Sequence, residues 1–141
     1  MGNGEEDKLK EVIYQDREWF NKGEYDRIDE LYSEDYIEPY TGAKGREGIK
    51  KDTINLKKAF PDLAITIEDT IVKGNVIVTR STVTGTHRGE FMGIPPTGKT
   101  FKVMGISIDR TQGGKFVEHW GLFDIFSMLI QLGVKEVPKG L

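Results

Sequence analysis

The hydrophobic period of this chain changes halfway along its length, and no other feature restricts its fold as much. Up to Phe60 the apolar residues recur at helical spacing; from Leu63 onward they alternate. Leu9, Val12, Ile13, Trp19 and Phe20, with charged residues between them, describe an amphipathic helix. Asn21-Lys22-Gly23 closes it, with Gly23 as a left-handed cap. A short second helix carries Tyr25, Ile28, Leu31 and Tyr32 on one side. Ser33-Glu34-Asp35 breaks that pattern, and Tyr36-Ile37-Glu38 reads as a brief strand. After a loop over residues 42–48, Ile49, Thr53, Leu56, Ala59 and Phe60 mark a third helix, which Pro61 stops.

Beyond Pro61 the pattern is that of a meander. Leu63, Ile65, Ile67, Ile71 and Val72 form a strand, and Lys73-Gly74-Asn75 supplies a tight turn. The run from Val76 to Phe91 predicts one long strand, bent at Gly85 and Gly89. Residues 94–98 (Ile-Pro-Pro-Thr-Gly) form a loop, Phe101 to Arg110 a strand, Gln112-Gly113-Gly114 a turn and Lys115 to Phe123 the last strand. An apolar helix from Ile125 to Leu132 ends at Gly133. Helices first and an antiparallel meander afterwards indicate a single α+β domain over residues 1–141, with 1–5 and 134–141 loosely held. A strongly bent sheet with helices on its concave face would enclose a pocket.

Composition removes several functions. With 20 Lys+Arg against 23 Asp+Glu, the chain lacks the cationic field that nucleic-acid backbones require. No apolar run approaches the roughly 20 residues of a membrane span. The polar, acidic start Met1-Gly2-Asn3-Gly4-Glu5-Glu6-Asp7 is unlike a signal peptide, and no Cys is present for disulfides or thiolate chemistry. A cytoplasmic protein is the expectation.

The stretch from Gly85 to Lys99 (Gly-Thr-His-Arg-Gly-Glu-Phe-Met-Gly-Ile-Pro-Pro-Thr-Gly-Lys) resembles the signature of SnoaL-like polyketide cyclases, or ester cyclases, in the NTF2-like superfamily. The pieces Asn21-Lys22-Gly23-Glu24-Tyr25-Asp26 and Ala59-Phe60-Pro61-Asp62-Leu63 support it. So do Val117-Glu118-His119-Trp120 with Asp124, and Leu129-Ile130-Gln131-Leu132-Gly133. The resemblance implies an NTF2-like cone: a bent antiparallel or mixed sheet, with helices packed on its concave face around a pocket. It also implies a homodimer, a small hydrophobic or aromatic ligand, and intramolecular aldol-type ring closure of an aromatic polyketide ester without metal or cofactor. In the family an Asp of the closing motif is the general acid/base, and Asp124 matches it. Many relatives carry a His after the second helix, where this chain reads Glu38-Pro39-Tyr40. That departure motivates a non-catalytic carrier as the alternative. Water addition of the epoxide-hydrolase type ranks last, because the sequence discloses no Asp–Arg–Asp set.

The expected catalytic residues are therefore Asp124 and His119, and the expected substrate-binding residues are His87, Trp120, Trp19, Tyr14, Phe91 and Glu118. Asp124 directly precedes a helix, so it also fits an N-cap, a role that Asp favours. On a regular strand Glu118, Trp120, Leu122 and Asp124 share one face and His119 takes the other, unless Gly121 introduces a bulge. Glu118, His119, His87 and Asp124 match no established zinc spacing, and no metal site is expected.

Overall fold

The computed structural model describes residues 4–136. Helix α1 (Gly4–Lys22) opens with Glu5, Glu6 and Asp7 and closes with Lys22, charges that complement the dipole at each end. Its inward stripe is Leu9, Ile13, Asp16 and Trp19. At its end Gly23 takes φ 72°, and the Glu24 N–H reaches back to the Trp19 carbonyl at 2.9 Å, closing the helix as expected. A 3-10 turn (Tyr25–Arg27) and α2 (Ile28–Leu31) follow.

Strand β1 (Tyr32–Ile37) absorbs the Ser33-Glu34-Asp35 segment, which was expected to interrupt regular structure. Helix α3 (Gly45–Ala59) precedes β2 (Ala64–Lys73), β3 (Val76–Thr86), β4 (Thr100–Gln112) and β5 (Lys115–Phe123), and α4 (Ile125–Gln131) comes last. The sheet order is β1-β5-β4-β3-β2, with β1 parallel to β5 and every other pair antiparallel. This is the expected α+β cone.

Strand β3 is shorter than its sequence predicted. It ends at Thr86, and Gly89 lies in the β3–β4 loop, where the Arg88 and Gly89 N–H groups both donate to the Ala59 carbonyl. A Cβ on Gly89 would fall 2.3 Å from the Lys58 carbonyl oxygen, so only glycine permits this approach. At the free edge of the sheet, Asn21 pins β2 by accepting from Ile65 N–H (2.8 Å) and donating to its carbonyl (2.9 Å).

The inner face carries two apolar clusters. One joins α1 to β1 through Leu9, Ile13, Leu31, Tyr36, Ile77 and Phe116; the other gathers Phe60, Leu63, Val83, Phe101, Met128 and Leu132. Phe60 meets Phe91 and Phe101 edge-on, at centroid separations of 5.0 and 5.1 Å. Gly4 and Glu5 belong to α1, and Val134 packs on the second cluster with its N–H on the Leu129 carbonyl, so these parts of the expected loose ends are held. Residues 1–3 and 137–141 lie outside the described residues.

Candidate active site

Between the two clusters the inner face of the sheet loses its bulk. Thr79, Ser107 and Gly121 are paired across β3, β4 and β5, and the next row is Ser81, Gly105 and Phe123. Apart from Phe123 at the margin, these side chains are too short to fill the space beneath the helices, and they leave a cavity of about 710 Å³. That is an ordinary size for a small-molecule site. Trp19 and Phe20 of α1, Tyr25, Ile28, Leu56 of α3 and Phe91 give it largely apolar walls.

Its floor holds a buried polar network. Asp109 of β4 and His119 of β5 are direct cross-strand partners, and His119 Nδ1 lies 2.6 Å from Asp109 Oδ1. A carboxylate can only accept, so Nδ1 carries the proton and Nε2 is left for the cavity. Ser107 donates to the other Asp109 oxygen at 3.0 Å and shares a 2.7 Å contact with Thr79. From α1, the Arg17 guanidinium is hydrogen-bonded to Asp16, reaches Ser107 Oγ at 3.3 Å and stands 3.8 Å from Asp109. Tyr32 donates its hydroxyl to Asp16 at 2.8 Å.

The charges in this network support one another. Burial works against the Asp109 carboxylate, but the His119 hydrogen bond and charge, Arg17 and Ser107 together hold it below the usual carboxylate range. Burial likewise opposes protonation of His119, and the bond and charge of Asp109 outweigh it, raising the imidazole above its ordinary 6.5. A second polar group lies on the β1 side, where Glu38 accepts from Tyr36 and Thr41, each at 2.8 Å.

Of the residues expected in the site, His119, Trp19 and Phe91 line the cavity. Asp124 does not. It is the N-cap of α4, accepting from Ser127 N–H (3.0 Å) and Oγ (2.6 Å), and these bonds lower its pKa in an exposed position. The desolvated, raised carboxylate that proton transfer would need is not found there. Glu118 and Trp120 point to the outer face of the sheet, where the indole N–H donates to Glu118 at 2.6 Å. His87 is buried beside Phe60, and its Nδ1 accepts from the Thr97 N–H at 3.3 Å, so it fastens the β3–β4 loop from behind the cavity wall. Tyr14 lies on the solvent side of α1. No group of three or more metal-ligating side chains occurs among the described residues.

Asp109, Arg17, Asp16, Ser107 and Tyr32 were not expected here. One signal was present in the sequence: Asp16 interrupts the apolar stripe of α1 between Ile13 and Trp19, where a charge must find a buried partner. The sequence disclosed no Asp–Arg–Asp set, whereas in the structure Asp16, Arg17 and Asp109 meet at the floor.

A bent mixed sheet wrapped around a cavity, with helices on its concave face, is the NTF2-like α+β fold. The model of the SnoaL-like polyketide cyclase family matches residues 10–132, and the chain belongs to that family. Among solved structures, IdmH from Streptomyces antibioticus is 34% identical, covering 89% of this chain and 99% of its own, with a TM-score of 0.78. TsrD from Streptomyces laurentii is 27% identical, with 91% and 96% covered and a TM-score of 0.84. A SnoaL-like protein from Jannaschia sp. CCS1, at 21% identity, shares the fold over 96% of this chain and 99% of its own, with a TM-score of 0.86. No curated protein matches the chain. No helix among the described residues is long and apolar enough to cross a membrane.

Proposed function

We propose that the protein closes a ring in an aromatic polyketide ester or related carbonyl compound by an intramolecular aldol-type reaction, with His119 as the proton carrier. The observation that carries this reading is the Asp109–His119 pair at the polar floor of a cavity whose walls are largely apolar. Neutral His119 takes a proton through Nε2 from the carbon between two carbonyl groups, and the electron pair enters the enolate. The resulting imidazolium is stabilised by Asp109. The enolate carbon then attacks a further carbonyl of the same molecule, beyond the two that flank it, forming the carbon–carbon bond as that C=O π pair moves to oxygen. His119 returns its proton to that alkoxide, so the product is an isomer of the substrate. The apolar walls hold the chain folded, which supplies the orientation such a reaction needs. In this reading the roles assigned by resemblance to Asp124 pass to Asp109 and His119, while Trp19 and Phe91 remain ligand contacts.

Water addition to an epoxide is the second reading, favoured by one observation: Arg17 lies between Asp16 and Asp109, beside the Ser107 hydroxyl. Mass spectrometry after incubation with an aromatic β-dicarbonyl methyl ester that carries a further ketone as acceptor and, separately, an aromatic epoxide separates the possibilities. Ring closure leaves the ester's mass unchanged while its chromatographic mobility shifts. Conversion of the epoxide alone, with a gain of one water, replaces the cyclase reading. Tight binding of both compounds without product makes the protein a carrier. The same proposal includes a homodimer, formed through the apolar outer face of the sheet, and a cytoplasmic location.

A further inference from the structure

Gly121 stands next but one to His119 on the inner face of β5. An ideal Cβ built on it would lie 2.4 Å from His119 Nε2, 3.0 Å from Cε1 and 3.4 Å from Cδ2. The imidazole therefore lies along its own strand, over the place where the side chain of residue 121 would be. That pose lets a ring on β5 turn its Nδ1 to the directly opposed Asp109, with Nε2 over Gly121, while His119 still lines the cavity. Gly105, the other glycine of the floor, is different: its Cβ would meet Val83 and Phe123 at 3.4 Å, an ordinary contact. The backbone of Gly121 has no positive φ, so conformational freedom does not explain the residue. The space it leaves does.

We propose that Gly121 is a positioning residue for the proton carrier: its missing side chain is the slot in which the His119 ring is held against Asp109. The inference rests on the acid/base reading above, and it assigns the orientation of the imidazole to a residue that has no side chain to exchange a proton.

Ring-proton NMR titration of the free protein tests it without a substrate, since the chain has only His87 and His119. His119→Gln identifies the resonance. In Gly121→Ala the methyl group displaces the ring, and the His119 midpoint falls by about one unit or more as the carboxylate contact is lost. In Gly105→Ala, which adds the same volume to the same floor, the midpoint stays at the wild-type value. A Gly121→Ala midpoint equal to wild type overturns the proposal. Should that variant be too unstable to titrate, melting temperatures in the His119→Ala background decide. The slot explanation requires Gly121→Ala to be tolerated once the ring is gone, and equal destabilisation in both backgrounds refutes it. Turnover by His119→Gln separates the two levels: undiminished turnover defeats the acid/base reading, whereas the titration alone judges Gly121.

Discussion

At the scale of single residues, the difference between Asp109 and Asp124 is one of surroundings. Both are carboxylates of the closing strands and helix, but one faces a half-buried imidazole and the other a helix N-terminus. The pair at the cavity floor links stability to pH at both ends. His119 has a raised folded-state pKa, so its contribution is complete below the ordinary 6.5 and is lost as pH rises through the raised value. Asp109 has a lowered one, so its contribution is present above the ordinary 3.8 and is lost as pH falls through the depressed value. Denaturant unfolding of wild type across this range should therefore show stability declining above pH 6.5, and Asp109→Asn should flatten that decline. In the same variant the ascending limb of the pH–rate profile should move to lower pH, because His119 loses the charge that raises it. An unmoved limb would mean that another group titrates. The cap predicts the opposite pattern: Asp124→Ala lowers the melting temperature slightly and leaves the pH–rate profile unchanged.

At the scale of elements, the change of period disclosed the order of helices and strands and both tight turns, because burial of one face imposes its period directly on the sequence, but it placed the start of β1 and the end of β3 wrongly. It did not disclose the partner of His119, because that pairing depends on one irregularity. Counting outward from the β4–β5 turn, Gln112 pairs with Lys115 and Thr111 with Phe116; a regular ladder would then set Asp109 opposite Glu118. Two carboxylates there would repel one another. The register instead shifts by one between Arg110 and Thr111, Val117 is the extra residue, and His119 arrives opposite Asp109. The sequence reading looked for a bulge at Gly121, whereas the strand slips four residues earlier. A closing motif read as residues on one face could not show which acid on the neighbouring strand the histidine would meet. The β3–β4 loop gives this scale its own prediction. Gly89→Ala drives a methyl group into the Lys58 carbonyl and should cost about 1–3 kcal/mol in chemical denaturation. Destabilisation below about 0.5 kcal/mol would show that the loop base shifts freely.

At the scale of the whole molecule, the sheet has two unlike faces. The concave side is filled by helices around the cavity. The outer side exposes Met104, Ile106, Ile108, Trp120 and Leu122, with Phe126 and Ile130 of α4 nearby. An apolar surface of this extent is characteristic of an interface. The homodimer in our proposal uses it, and sedimentation velocity at micromolar concentration should give a species of twice 15.9 kDa. Ile106 and Leu122 are cross-strand partners, so Ile106→Lys with Leu122→Glu places an ion pair on the free face and should yield a folded monomer. A wild-type monomer would contradict this assembly.

The central claim is that the proton carrier stands inside the cone, at its floor, and not at the cap of the last helix. Turnover of an aromatic polyketide methyl ester by His119→Gln and Asp124→Asn, measured side by side with wild type, tests it most directly. The account predicts a fall of about 10²–10⁴-fold in kcat for His119→Gln and near-wild-type turnover for Asp124→Asn. Turnover that survives in His119→Gln and vanishes in Asp124→Asn would contradict it.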